Sequence, residues 1–173
     1  RQVEIGGRTM GILALGGIGM AVAQRAQGFG MKVYAVDKHP EKVRQESDGP
    51  LPTEGGDVWG LDRLDDMLRI ADWFVITAPR TPESLGMVDR RRVGLLKQRA
   101  YVVAISRGGI IDESALTEAL QSGRLAGAGL DVMEQEPLPD DSPLWDMDNV
   151  ILSPHASALT SDMFDGRRAV FKE

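Results

Sequence analysis

Six short apolar runs alternate with helical patterns along most of this chain, and that alternation constrains the fold more than any other feature. The runs fall at residues 10–15, 32–36, 73–77, 101–105, 128–132 and 150–152. Between them, helix-period apolar spacing covers 18–29, 61–70, a short stretch at 90–96, and 113–122. Asp112 is placed to cap the last of these helices and Gly123 to close it. Near-continuous apolar strands separated by amphipathic helices predict a parallel sheet covered on both faces. The expected class is therefore α/β, a doubly wound, Rossmann-type sheet. The stretch 38–60, rich in proline, glycine and charge, is the least regular and is expected to hold a short edge strand. The final stretch "SDMFDGRRAVFKE" begins as a helix, with Ser161 or Asp162 as its cap.

The first strand runs into "ALGGIG" at residues 14–19. A dinucleotide-binding turn asks for glycine at three positions. The first makes a tight bend, the second lets the main chain approach a pyrophosphate, and the third lets helix and strand touch. Gly16 and Gly19 fill the second and third, while Ala14 stands at the first, where a methyl group is expected to be tolerated at negative φ. Asp37, at the end of the second strand, lies near the distance expected of the acid that bonds a ribose 2′-hydroxyl. The helix that follows the turn would offer its free N–H groups to phosphate. Taken alone, this stretch is also compatible with a purely structural turn or with a methyltransferase.

Three later strands decide between these readings. Arg107 follows "YVVAI", Asp131 ends "AGAGLDV" with Glu136 five residues on, and His155 follows "NVIL". In an open parallel sheet all of them emerge at the carboxyl edge, where ligands bind. A guanidinium can clamp a carboxylate with two parallel hydrogen bonds. An imidazole can take a hydroxyl proton as hydride leaves and return it in reverse. A carboxylate bonded to that imidazole orients it and raises its basicity. Together they suit the interconversion of a 2-hydroxy and a 2-oxo acid, with no metal required. His39 is expected on an exposed turn after Asp37 or against the adenosine, with no catalytic part.

Composition narrows the classes further. One domain is expected across residues 1–173. A net charge of −6 speaks against a general nucleic-acid binder. No apolar run approaches a membrane span. The chain has no cysteine, which rules out disulfides and thiolate chemistry and fits a cytoplasmic location.

With these motifs in view, the chain resembles the nucleotide-binding domain of the D-isomer-specific 2-hydroxyacid dehydrogenases. The likeness is carried by "GILALGGIG", "TAPRTPES", "SRGGIIDESAL", "GAGLDVMEQEPLPDDSPLW" and "NVILSPHAS". It implies NAD as cofactor and a catalytic trio of Arg107, Glu136 and His155. It also implies a pyrophosphate turn of Gly16, Gly17, Ile18 and Gly19, with Asp37 favouring NAD over NADP. Asp131 falls at the position that bonds the nicotinamide carboxamide. A small 2-hydroxy or 2-oxo acid as substrate and a homodimer of the full-length protein are likewise implied. Members carry a second domain over the cleft, so this chain is expected to be the nucleotide domain of a longer protein. A nucleotide-binding module without turnover is the alternative. Three residues depart from the family pattern: Gly17 stands where arginine is common, Arg80 where an apolar residue is usual, and Ser106, expected to be harmless, before Arg107.

Overall fold

The computed structural model describes residues 3–47 and 49–159. Seven parallel strands form one sheet in the order β3-β2-β1-β4-β5-β6-β7. They are β1 (Thr9–Leu13), β2 (Lys32–Asp37), β3 (Trp59–Gly60), β4 (Trp73–Ile76), β5 (Tyr101–Ala104), β6 (Gly127–Leu130) and β7 (Val150–Leu152). The order runs outward in one direction from β1 to β3 and in the other from β4 to β7. The switch point therefore lies between β1 and β4, where such sheets open a ligand crevice. All six strands expected from the apolar runs are present, and the seventh, β3, is the edge strand expected within 38–60.

The sheet divides the core in two. Successive residues of a strand point to opposite faces, so Leu13, Val36, Phe74 and Ile76 pack on one side. Ile12, Ala35 and Val75 pack on the other. On the first side α3 (Leu64–Ile70) buries Leu64, Met67 and Leu68, while α5 (Glu113–Gln121) buries Ala115, Leu116, Ala119 and Leu120. Asp112 caps α5 by accepting the Ala115 N–H at 2.8 Å, and Gly123 follows its end at φ 70°. On the second side α1 (Gly17–Gly28) buries Gly19, Ala23 and Ala26. This small-residue face lets the helix lie close to the sheet.

Most element ends shift by one or two residues from the sequence reading, and three larger differences concern the helices. The stretch at 61–70 opens as a 3₁₀ turn over Leu61–Arg63 before α3 begins. The helix expected at 90–96 is α4 (Arg90–Val93), after which Leu95 and Leu96 donate to carbonyls three residues back, as 3₁₀ turns do. A further helix, α2 (Pro40–Gln45), forms in the irregular stretch with Pro40 in its first turn and no buried residue. Its lack of an apolar face hid it from a reading based on hydrophobic period. The helix start at Ser161 or Asp162 lies outside the described residues. Among the described residues, no helix is long and apolar enough to cross a membrane.

Candidate active site

The turn after β1 is held by contacts to its main-chain atoms. Ala14 donates its N–H to Val36 at 2.8 Å, as a continuation of the β1–β2 ladder. The Thr77 hydroxyl, just past β4, bonds the carbonyls of Leu13 and Ala14 at 3.0 and 2.7 Å. A Cβ at Gly19 would lie 2.3 Å from the Ala14 carbonyl oxygen, so glycine is required there for helix and turn to meet. At Gly16 and Gly17, by contrast, a Cβ would meet nothing within 4 Å. Glycine at these two positions serves no contact within the protein. It leaves the main chain bare toward the cleft, as close approach of a pyrophosphate needs.

Ala14 corrects one expectation. Its φ is 74°, in the left-handed region, so the missing glycine falls where glycine is favoured and not at negative φ. An alanine there costs about 1 kcal/mol relative to glycine.

Asp37 reaches back from the end of β2. Its Oδ2 accepts the Leu15 N–H at 2.9 Å and its Oδ1 the His39 N–H at 2.8 Å. The acid thus holds the turn and its own loop together. His39 is exposed, as expected.

Arg107, Glu136 and His155 come together at the far half of the same edge. His155 Nδ1 lies 2.8 Å from Glu136 Oε2, and its Nε2 lies 3.5 Å from Arg107 Nη1. Glu136 Oε1 accepts the Met133 N–H at 3.1 Å. The His155 hydrogen bond, against the opposing effect of burial, holds the Glu136 carboxyl below its usual range. Arg107 donates to the Ser106 carbonyl at 2.6 Å. With Nδ1 tied to a carboxylate, Nε2 is the imidazole atom presented beside the guanidinium.

What holds these loops was only partly legible. Gly108 packs so tightly that a Cβ would fall 1.7 Å from the Met133 carbonyl oxygen, which joins the Arg107 loop to the Glu136 loop. Glu113 and Glu134 exchange hydrogen bonds, each carboxylate accepting the other residue's N–H, at 3.2 and 2.8 Å. Burial pushes the Glu113 carboxyl up.

Asp131 is held within the protein at the end of β6. It is 3% exposed, and its oxygens accept from the Ser153 hydroxyl at 2.5 Å and from the N–H groups of Ala156 and Ser157 at 2.8 and 3.0 Å. It therefore brackets His155, which sits at φ 53°. Burial acts to raise the Asp131 carboxyl. The Ser153 and Ser157 hydroxyls, with two main-chain N–H groups, outweigh it and hold the carboxyl at about 2. Ser153 and Ser157, flanking the histidine, were the signal available in the sequence for this anchor.

One cleft of about 670 Å³ connects the two halves, lined among others by Ile18, Thr77, Arg80, Ser106, Arg107 and His155. Its size is that of a ligand pocket. Among the described residues the buried Ser106 hydroxyl has no hydrogen-bond partner, so serine here places a polar group without a partner among them in the cleft wall. The bare turn, the helix N-terminus and this orphaned hydroxyl fit a polar dinucleotide laid from α1 toward His155.

Comparison with known proteins agrees with this geometry. The family model described as "D-isomer specific 2-hydroxyacid dehydrogenase, NAD binding domain" matches residues 1–157. A D-3-phosphoglycerate dehydrogenase of Methanocaldococcus jannaschii is 39% identical over 162 residues, which cover 94% of this chain and 29% of that protein. A glyoxylate reductase of Korarchaeum cryptofilum is 39% identical over 160 residues, covering 92% of this chain and 45% of that one. The crystal structure of a D-isomer specific 2-hydroxyacid dehydrogenase from Xanthobacter autotrophicus Py2, in complex with NADPH and MES, superposes with a TM-score of 0.79 at 33% identity. That match covers 95% of this chain and 49% of the other. The chain spans less than half the length of each of these proteins.

Proposed function

The chain belongs to the D-isomer-specific 2-hydroxyacid dehydrogenase family, and from that premise we propose that it is the nucleotide-binding domain, residues 1–173, of an NAD-dependent oxidoreductase acting on a small D-2-hydroxy or 2-oxo acid. The observation that carries this is the imidazole of His155, tied through Nδ1 to Glu136 and set with Nε2 3.5 Å from Arg107 in the cleft that begins at the glycine turn.

Gly16, Gly17, Ile18 and Gly19 are the residues proposed to hold the pyrophosphate. Asp37 is proposed to favour NAD, because its carboxylate would repel a 2′-phosphate. A bound nicotinamide supplies the exchange of hydride with C2 of the acid. Arg107 clamps the substrate carboxylate and sets C2 beside the imidazole. His155 Nε2 takes the hydroxyl proton in oxidation and returns it in reduction. Glu136 keeps the ring in the tautomer and orientation that present Nε2. Asp131 is proposed to bond the nicotinamide carboxamide while it anchors the His155 loop. The choice of acid, the dimer and the cytoplasmic location belong to the full-length protein as proposed here.

In the full-length protein, His155→Ala is expected to lower kcat for 2-oxo acid reduction by about 10²-fold or more. NADH affinity should stay within about twofold of wild type, since His155 makes no contact with the glycine turn. Full activity in this variant would remove His155 from the mechanism.

A further inference from the structure

The glycine turn brings no cation of its own. From Ala14 to Gln24 the sequence has no charged side chain, so the turn meets phosphate with N–H groups and a helix dipole alone. That dipole amounts to roughly half a charge, while a dinucleotide's pyrophosphate carries two negative charges. A second source of positive charge is needed if the ligand is to be neutralised in the cleft.

Two guanidinium groups line that cleft, Arg107 and Arg80. Arg107 is engaged by the Ser106 carbonyl and faces His155. Arg80 has no salt-bridge or hydrogen-bond partner among the described residues. Glu83, three residues on, faces Lys38 instead, at 3.8 Å. Several other arginines of this acidic chain pair with carboxylates, Arg44 with Asp57, Arg90 with Glu118 and Arg92 with Asp65, and others such as Arg124 bond main-chain carbonyls. Strand order also locates Arg80. It follows β4, which lies between β1 and β5 in the sheet, so it stands between the glycine turn and Arg107. Ile18, directly after the turn, shares the cleft wall with it.

Resting on the nicotinamide-cofactor reading above, we propose that Arg80 binds the pyrophosphate of the cofactor from the β4 side, opposite the N–H groups of the turn. It supplies the side-chain charge that the turn lacks. Arg107 is left free to clamp the substrate carboxylate, and the two arginines divide the anionic groups of the ternary complex between them.

The test is calorimetric titration of this chain with NADH and with ADP-ribose, which keeps the pyrophosphate but lacks the nicotinamide. Losing a charge-assisted hydrogen bond in Arg80→Leu should weaken both ligands by roughly tenfold to a hundredfold. Arg80→Lys, which keeps the charge, should recover part of the loss. Binding to Arg80→Leu should also respond less to added salt than binding to wild type. Arg80 is exposed, so the variant should melt as wild type does. Equal affinity of wild type and Arg80→Leu for both ligands would overturn the proposal. So would a loss confined to NADH, which would move Arg80 to the nicotinamide side. A wild-type chain that binds neither nucleotide would overturn the cofactor reading itself, a result distinct from either of these.

Discussion

The glycine turn and the Arg107–Glu136–His155 cluster open into one cleft but are held in different ways. The turn is held by its own main-chain atoms: Gly19 lies against the Ala14 carbonyl, the Thr77 hydroxyl bonds two carbonyls, and the Asp37 carboxylate accepts the Leu15 N–H. The cluster depends on carboxylates that reach between loops. Asp131 brackets His155, Glu136 holds its ring, and Glu113 and Glu134 bind each other's N–H groups. A binding turn has to leave main-chain N–H groups free for its ligand, so it is built from small residues packed close. A proton-transfer site has to hold one side chain in one orientation, so it is built from directional hydrogen bonds. The two regions should therefore fail differently when damaged.

The largest effect is expected where the two modes meet, at Gly108, whose close approach to Met133 carries both Arg107 and Glu136. Gly108→Val should destabilise the fold by roughly 3 kcal/mol or more, because main chain must separate to admit the side chain. Urea unfolding measures this. A loss no larger than that of an exposed-helix control would show that the loops are not coupled there.

Asp131→Asn comes next. It leaves one or more buried donors among Ser153, Ala156 and Ser157 poorly paired, at a cost of about 1–3 kcal/mol. The acid limb supplies the sign. The folded carboxyl is held at about 2, below its ordinary value of 3.8. Its stabilising contribution is complete above that ordinary value and is lost as pH falls through about 2. The variant should thus lose less stability than wild type across that window. Parallel acid-melting curves would contradict the anchor.

The smallest effect lies in the turn. Ala14→Gly relieves a left-handed alanine and should raise stability by about 0.5–1 kcal/mol. A decrease would show that the methyl group packs usefully.

The sheet was legible because six of its seven strands are short apolar runs between helical periods, and Arg107, Glu136 and His155 stood out because they follow three such runs. Ala14 was misjudged because the φ that the turn adopts, 74°, is a property of the folded main chain and not of the residue pattern. The bonds that Asp131 makes within the protein were likewise not legible. A carboxylate at a strand end does not by itself show that the folded loop brings Ser153, Ala156 and Ser157 onto it. Similarly, that the Ser106 hydroxyl and the Arg80 charge have no partner among the described residues is a property of neighbours that a linear reading does not supply. What sequence pattern conveys is period and strand-end chemistry. Which donors meet which acceptors across loops is decided by the tertiary fold.

The central claim is that the glycine turn exists for a dinucleotide, and Gly16→Val tests it most directly. The structure leaves open space at this Cβ, and Gly16 has a φ of −76° that valine can adopt. The variant should therefore melt as wild type does while NADH titration shows binding abolished. Retained NADH binding in a folded Gly16→Val chain would contradict the account.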